Sequence, residues 1–99
     1  MVQATPKADL VNIVFTWNFG GQEAYLIGSF TNWSEKLLMK KAGGNEFSLL
    51  HPLERGVHQY KFIVDGNWRF AGDQPTMRDN QGNINNFIDT THYASSAAT

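Results

Sequence analysis

The chain is expected to fold as an antiparallel β-sandwich, and three observations carry that expectation. No window shows a sustained apolar repeat at i, i+3, i+4 and i+7, so helix should be nearly absent. About six or seven short runs rich in β-branched and aromatic residues are separated by turn signals roughly every eight to twelve residues. The stretch His58–Phe70 reads H-Q-Y-K-F-I-V-D-G-N-W-R-F. It sets two strand-like runs around Asp65-Gly66, a dipeptide suited to the positive φ angles of a type I′ hairpin turn. A small barrel is the alternative all-β layout.

In chain order, residues 1–9 are polar around Pro6 and read as a flexible lead-in, with the folded module over 10–90. Val11–Trp17 alternates poorly but is β-branched and aromatic, and is expected to be a strand. Asn18-Phe19-Gly20-Gly21 turns the chain. Ala24–Phe30 is the next strand, with Gly28 marking a bulge or a close approach of backbone. Thr31–Glu35 is a polar turn around Trp33. Leu37–Met39 is a short apolar run, and Ala42–Asn45 turns into a strand over Glu46–Leu50. Pro52 to Gly56 is expected to be a loop. Ala71–Gly82 reads as a long loop holding at most a short strand, and Ile84–Asp89 closes the domain. Residues 91–99 are small and polar, the composition of a tail or linker.

If the central loop is a two-residue turn, Val64 faces Asn67 and Ile63 faces Trp68. Side chains alternate along a strand, so Tyr60, Phe62 and Val64 share a face apolar enough to join a core. Lys61 and Ile63 share the opposite face with Trp68. The same register sends Arg69 toward the core, so the second strand should become irregular there. Core candidates are Tyr25, Ile27, Phe47, Leu49, Tyr60, Phe62, Val64 and Phe87, with part of Ile13–Phe15.

Composition excludes several function classes. The 99 residues support one domain with a modest core. They contain no cysteine, which rules out disulfides and thiolate metal sites. The formal net charge is −1, and no run of like charge exceeds Lys40-Lys41. A nucleic-acid partner held by phosphates would want a basic stripe. No apolar run approaches the roughly 18–20 residues of a membrane span. The N-terminus has neither a signal-peptide shape nor a myristoylation glycine, so a cytoplasmic setting is expected. The sequon Asn32-Trp33-Ser34 then reads as a coincidental match.

Catalysis finds no constellation. His51, His58 and His92 fall in a loop, a strand and the tail, outside any triad pattern. The carboxylates suggest no acid/base dyad, and there is no glycine-rich phosphate loop. Asp65, Asn67 and Asp73 lack calcium-loop spacing and read as turn residues. No metal or cofactor is expected.

The aromatics say more. They make up 13% of the chain and include three tryptophans. Trp17 ends a strand and reads as structural. Trp33 is ringed by Thr31, Asn32, Ser34 and Glu35, so a loop presents it, while Trp68 follows a tight turn on the face opposite Phe62. Each could be a ligand platform or a packing lid, and the residues alone leave both open. As platforms, two indoles suit single-stranded nucleic acid or a sugar. Nucleic acid also wants cationic rails. Sugars want flat aromatic faces with lysine and amide partners for their hydroxyls, and Lys61, Asn83, Asn85 and Asn86 are of that type. A neutral polyhydroxyl polymer is the better match.

Three segments then resemble a known family: V-F-T-W…G-G…Y-L-I-G-S-F-T-N-W-S, G-V-H-Q-Y-K-F-I-V-D-G-N-W-R, and Q-G-N-I-N-N-F-I. Over roughly Val11–Ile88 they look like the glycogen-binding domain of AMP-activated protein kinase beta subunits. That domain is a family-48 carbohydrate-binding module, a type also found in branching and debranching enzymes and starch phosphatases. The resemblance implies an immunoglobulin-like β-sandwich of about seven short antiparallel strands. It also implies non-catalytic binding of α-1,4-linked glucan, as glycogen, starch, maltooligosaccharide or cyclodextrin. Through a parent protein it implies kinase catalytic and gamma subunits as partners.

Carried over by motif, the stacking tryptophans fall on Trp33 and Trp68. The hydrogen-bonding lysine and asparagine fall on Lys61 and Asn85. Animal beta subunits carry a leucine before G-x-x-N-N that enters the ring of a cyclic or helical glucan. Here that position is Gln81, which loses apolar contact of about 1 kcal/mol. Lys40–Asn45 also lacks the serine that animal versions carry after a basic residue, so regulatory phosphorylation there does not transfer. Gln81 lends weight to an alternative, the same fold serving as a protein-interaction module with the sugar site weakened.

Overall fold

A computed structural model describes residues 9–94, so residues 1–8 of the expected lead-in and 95–99 of the expected tail lie outside the described residues. Among the described residues, nine strands form two antiparallel sheets. In the smaller, β1 (Leu10–Trp17) pairs with β5 (Glu46–Glu54), which pairs in turn with β4 (Lys40–Gly43). The larger sheet runs β3 (Leu37–Leu38), β2 (Ala24–Gly28), β6 (Val57–Val64), β9 (Ile84–Asp89), β8 (Thr76–Arg78). A further short strand, β7 (Asn67–Arg69), pairs with β6. The count exceeds the expected seven partly because the chain breaks at Met39 into β3 and β4, one in each sheet.

The hairpin forms in the expected register, with Ile63 opposite Trp68 and Val64 opposite Asn67. Asp65 and Gly66 take φ of 50° and 83°, the two positive angles a type I′ turn requires. β7 stops at Arg69, which stays exposed rather than entering the core. β7 and β9 share one edge of β6 in tandem. Val57–Tyr60 pair with β9 and Phe62–Val64 with β7, leaving Lys61 at the junction. The sheet is interrupted there, and the break positions the groove described below.

β1 alternates strictly, with Val11, Ile13, Phe15 and Trp17 buried. Its pattern looked poor in sequence because Val14 is apolar yet 63% exposed. β5 continues through Pro52 to Glu54, where a loop was expected. Proline is tolerated there because β4 pairs only as far as Ser48, so the missing N–H lies where β5 has β1 as its only partner. Ala24–Phe30 is a strand only to Gly28, then a 3₁₀ turn over Ser29–Thr31. A Cβ at Gly28 would lie 2.7 Å from the Gln59 carbonyl oxygen, the close backbone approach that its position suggested.

The core lies between the sheets. Val11, Ile13, Phe15, Trp17, Phe47 and Leu53 pack across from Leu26, Tyr60, Phe62 and Val64. Phe15 and Tyr60 meet edge-on at 5.0 Å, and Trp17 and Phe62 lie 5.2 Å apart. Each fully buried side chain of this size removes about 1.5–3 kcal/mol of apolar exposure. The Trp17 indole N–H donates to the Gly20 carbonyl at 2.9 Å, so this tryptophan is structural. The Tyr60 hydroxyl donates to Gln74 Oε1 at 2.6 Å, and burial pushes its phenol up to about 12.

The expected core needs correcting in its parity. Leu26, opposite Phe62, is the inward residue of β2, so Tyr25 and Ile27 lie on the outer face. Ile27 is buried there, and Tyr25 is half-buried beneath the Lys36 ammonium at 4.3 Å. Phe87 faces outward beside Gln59, whereas Leu49, opposite Phe15, packs half-buried against the core as expected.

Candidate functional site

The groove forms where the outer face of β6 meets the hairpin and two loops. Trp33 comes from the loop after β2, which its own hydrogen bonds hold rigidly. The Trp33 N–H donates to Gly28 O at 3.0 Å, and the single Thr31 Oγ1 proton is shared between the carbonyls of Gly28 and Glu35, each 3.1 Å away. Asn32 and Trp33 adopt φ of 55° and 58°. A tryptophan in the left-handed region is strained by about 1–3 kcal/mol, and such strain collects at functional positions. It turns the indole out of the core, leaving it half-buried. Trp68, two residues past the Asp65-Gly66 turn, is 55% exposed.

Between them stand the polar groups. Lys61, at the junction of β7 and β9, donates from Nζ to the Ile84 carbonyl at 3.0 Å. Asn85, 4% exposed, donates from Nδ2 to Gln59 Oε1 at 2.9 Å and, more weakly, to Asp79 Oδ2 at 3.5 Å. A carboxylate only accepts, so the amide must turn its NH₂ toward Asp79, leaving Oδ1 as the unused acceptor. Asp79 Oδ1 also takes the backbone N–H of Gln81 and of Asn83, both at 2.9 Å, and Oδ2 takes Asn83 Nδ2 at 3.1 Å. These bonds, led by the Asn83 backbone N–H, hold the Asp79 carboxyl below the usual aspartate range.

Trp33, Lys61, Trp68, Asp79, Asn83 and Asn85 line one open cavity of about 460 Å³. Four of the five residues expected at the site thus come together. The fifth, Gln81, is exposed in the Asp79–Gly82 turn and does not line the cavity. Asn86 is withdrawn from the sugar-binding candidates. It is fully buried on the inner face, where Oδ1 accepts the Ala71 N–H at 2.7 Å and Nδ2 donates to Ala71 O at 2.9 Å. Asp79 was missed, although an aspartate preceding Q-G-N carries the spacing of a turn that caps its own backbone.

The histidines lie elsewhere. His58 Nε2 donates to the Glu54 carbonyl at 2.7 Å. The His51 ring is 5.3 Å from that of Phe30, and burial lowers its pKa. Among the described residues no group of three His, Cys, Asp or Glu could hold a metal ion. No helix among them is long and apolar enough to cross a membrane.

Two indole faces set around an ammonium and fixed amides, carried on an antiparallel sandwich, define a carbohydrate-binding module. Residues 11–95 match the family described as the glycogen recognition site of AMP-activated protein kinase, and the chain belongs to that family. It is 44% identical over 75 residues to the 5'-AMP-activated protein kinase subunit beta-1 of Sus scrofa, covering 76% of this chain and 60% of that one. It is 39% identical over 80 residues to the SNF1-related protein kinase regulatory subunit beta-2 of Arabidopsis thaliana, covering 81% and 27%. It is also 40% identical over 79 residues to the chloroplastic phosphoglucan phosphatase LSF1 of Arabidopsis thaliana, covering 78% and 13%. The chain therefore spans a minor part of the plant relatives. The family is a recognition module of a regulatory subunit, and its role is non-catalytic glucan binding.

Proposed function

We propose that the groove between Trp33 and Trp68 is where this module holds α-1,4-linked glucan. The observation that carries the reading is the convergence of both indoles with Lys61 and Asn85 in one open cavity. The indoles stack on the C–H faces of successive glucose rings. The Lys61 ammonium donates to sugar hydroxyls, and Asn85 Oδ1 accepts from them. Gln81 stands in the turn beside the groove, where it would meet the outer part of a cyclic or helical ligand.

A shallow platform of this kind supports a Kd of roughly 10 μM to 1 mM, or about −7 to −4 kcal/mol. Such binding docks a larger parent protein on glycogen or starch in the cytoplasm. With a kinase beta subunit as the parent, the catalytic and gamma subunits would be carried with it.

The test is an NMR titration with β-cyclodextrin and maltoheptaose, with cellohexaose as the control. Saturable shifts of the Trp33 and Trp68 indole N–H signals are expected for the α-glucans alone. A folded domain silent at millimolar sugar would refute the assignment.

A second reading, protein docking, draws on a different surface. Val14 and Leu50 sit directly opposite each other on the outer face of the smaller sheet, 63% and 60% exposed. Val14→Ser with Leu50→Ser should weaken such docking and leave the glucan titration unchanged.

A further inference from the structure

A second cavity, of about 560 Å³, adjoins the glucan groove and shares Lys61, Trp68 and Asn83 with it. To these it adds Arg69, Phe70 and Arg78. Three cations therefore line it and no carboxylate does, on a protein whose net charge is −1. They arrive from separate elements, β6, β7 and β8, so only the tertiary fold gathers them.

Like charges on one wall repel unless something neutralises them. Among the described residues none of the three forms an ion pair, the bridge present there joining Arg55 to Asp9. Arg78 Nη1 donates to the Gly82 carbonyl at 3.1 Å and Lys61 Nζ to the Ile84 carbonyl at 3.0 Å. Each head group is thus tied to the groove wall by one donor, with its other N–H groups unspent. Asp79, on the glucan side, already accepts the N–H groups of Gln81 and Asn83.

We propose that this second groove binds a phosphate monoester carried by the same glucan chain that stacks on Trp68. A phosphate monoester brings close to two negative charges and three acceptor oxygens, which guanidinium forks match in geometry. Because Trp68 and Lys61 belong to both cavities, a chain stacked on the indole has its next substituent beside Arg69 and Arg78. The ligand class is a phosphorylated α-glucan. The inference rests on the glucan reading of the neighbouring groove.

The test is calorimetric titration at low ionic strength with a maltodextrin bearing C6 phosphate, the same dextrin after phosphatase treatment, and inorganic phosphate alone. The phosphorylated dextrin should bind about tenfold tighter than its dephosphorylated form, and added salt should narrow the gap. The R69Q/R78Q pair should abolish the difference and leave the dephosphorylated dextrin unaffected. Arg69→Gln alone, which leaves the Arg78–Gly82 bond intact, should remove part of it. An unchanged indole N–H spectrum would show that the variants remain folded.

Equal affinity of the wild-type protein for both dextrins would overturn the proposal. So would a preference that survives in R69Q/R78Q. Inorganic phosphate binding as tightly as the phosphorylated dextrin would mark a free-ion site instead, and would also overturn it. Failure of both dextrins to bind would overturn the glucan groove and this proposal together, which equal affinity would not.

Discussion

The two faces of the larger sheet are built from alternate residues of the same strands, yet they follow opposite rules. On β9, Asn85 faces the groove and Asn86 the core, one residue apart. Asn86 spends its whole amide on Ala71, Gln74 and Pro75, tying the 71–75 segment to the sheet. Asn85 is held only through its NH₂, which leaves Oδ1 as an unused acceptor. On β6, Tyr60, Phe62 and Val64 complete the core while Lys61 interrupts the outer face. Polar groups on the inner face are satisfied within the protein, and those on the outer face keep capacity in reserve. Stability and recognition are thereby separable by strand parity.

Variants can break that separation. The largest effect belongs to the inner face. Phe62→Ala should cost about 3–5 kcal/mol in urea unfolding, and Asn86→Ala about 2–3 kcal/mol through the orphaned Ala71 peptide groups. Next come Trp33→Ala and Trp68→Ala on the outer side. Each should weaken β-cyclodextrin binding by about ten- to a hundredfold while moving the unfolding midpoint little. Unfolding of either variant would show that the indole is a packing lid rather than a platform.

Gln81→Leu sharpens the contrast in the other direction. Restoring apolar surface in the turn should tighten β-cyclodextrin binding by up to about fivefold, roughly 1 kcal/mol. No gain would remove Gln81 from the site. The smallest effect concerns Asp79. Asp79→Ser removes the weaker of the two bonds on the Asn85 amide and loosens the Asp79–Gly82 turn, and should weaken binding by about threefold while the sandwich stays folded.

The pH dependence follows from the same carboxylate. Its folded pKa lies below the ordinary value near 3.8, so the charged form is the one the folded loop favours. That contribution is present above the ordinary value and is lost as pH falls through the lowered one. Stability should therefore be independent of this group above about pH 5 and fall in stronger acid. In the Asp79→Ser protein the acid limb attributable to this group should vanish, as read by urea unfolding at stepped pH.

Much of the fold was legible because its signals are local. The Asp65-Gly66 turn sets the hairpin register, and register sets which residues share a face. The pairing of Ile63 with Trp68 and the span Ile84–Asp89 both follow from the chain as read. The errors arose where local pattern is ambiguous. Apolar residues occupy both parities of β2, so nothing nearby says that Leu26 rather than Tyr25 faces inward. Val14 disguises the alternation of β1, and Pro52 reads as the start of a loop although an unpaired edge of β5 accommodates it. Trp33 and Lys61 were recognisable by motif, whereas Asp79 and the burial of Asn86 were not. Their roles depend on contacts made only after β8 and β9 dock beside β6.

The chain alone was thus enough to specify an all-β module, its central hairpin and the register that puts Trp68 on the face opposite Phe62. Turn chemistry and side-chain alternation act over a few residues, and that is all those features need. Which side chains meet in one groove was settled by folding, because Trp33 and Lys61 are far in sequence from each other and from the Asp79–Asn85 segment. Antiparallel pairing and the gap between β7 and β9 bring them within reach, and the same pairing gathers Arg69 and Arg78 beside them.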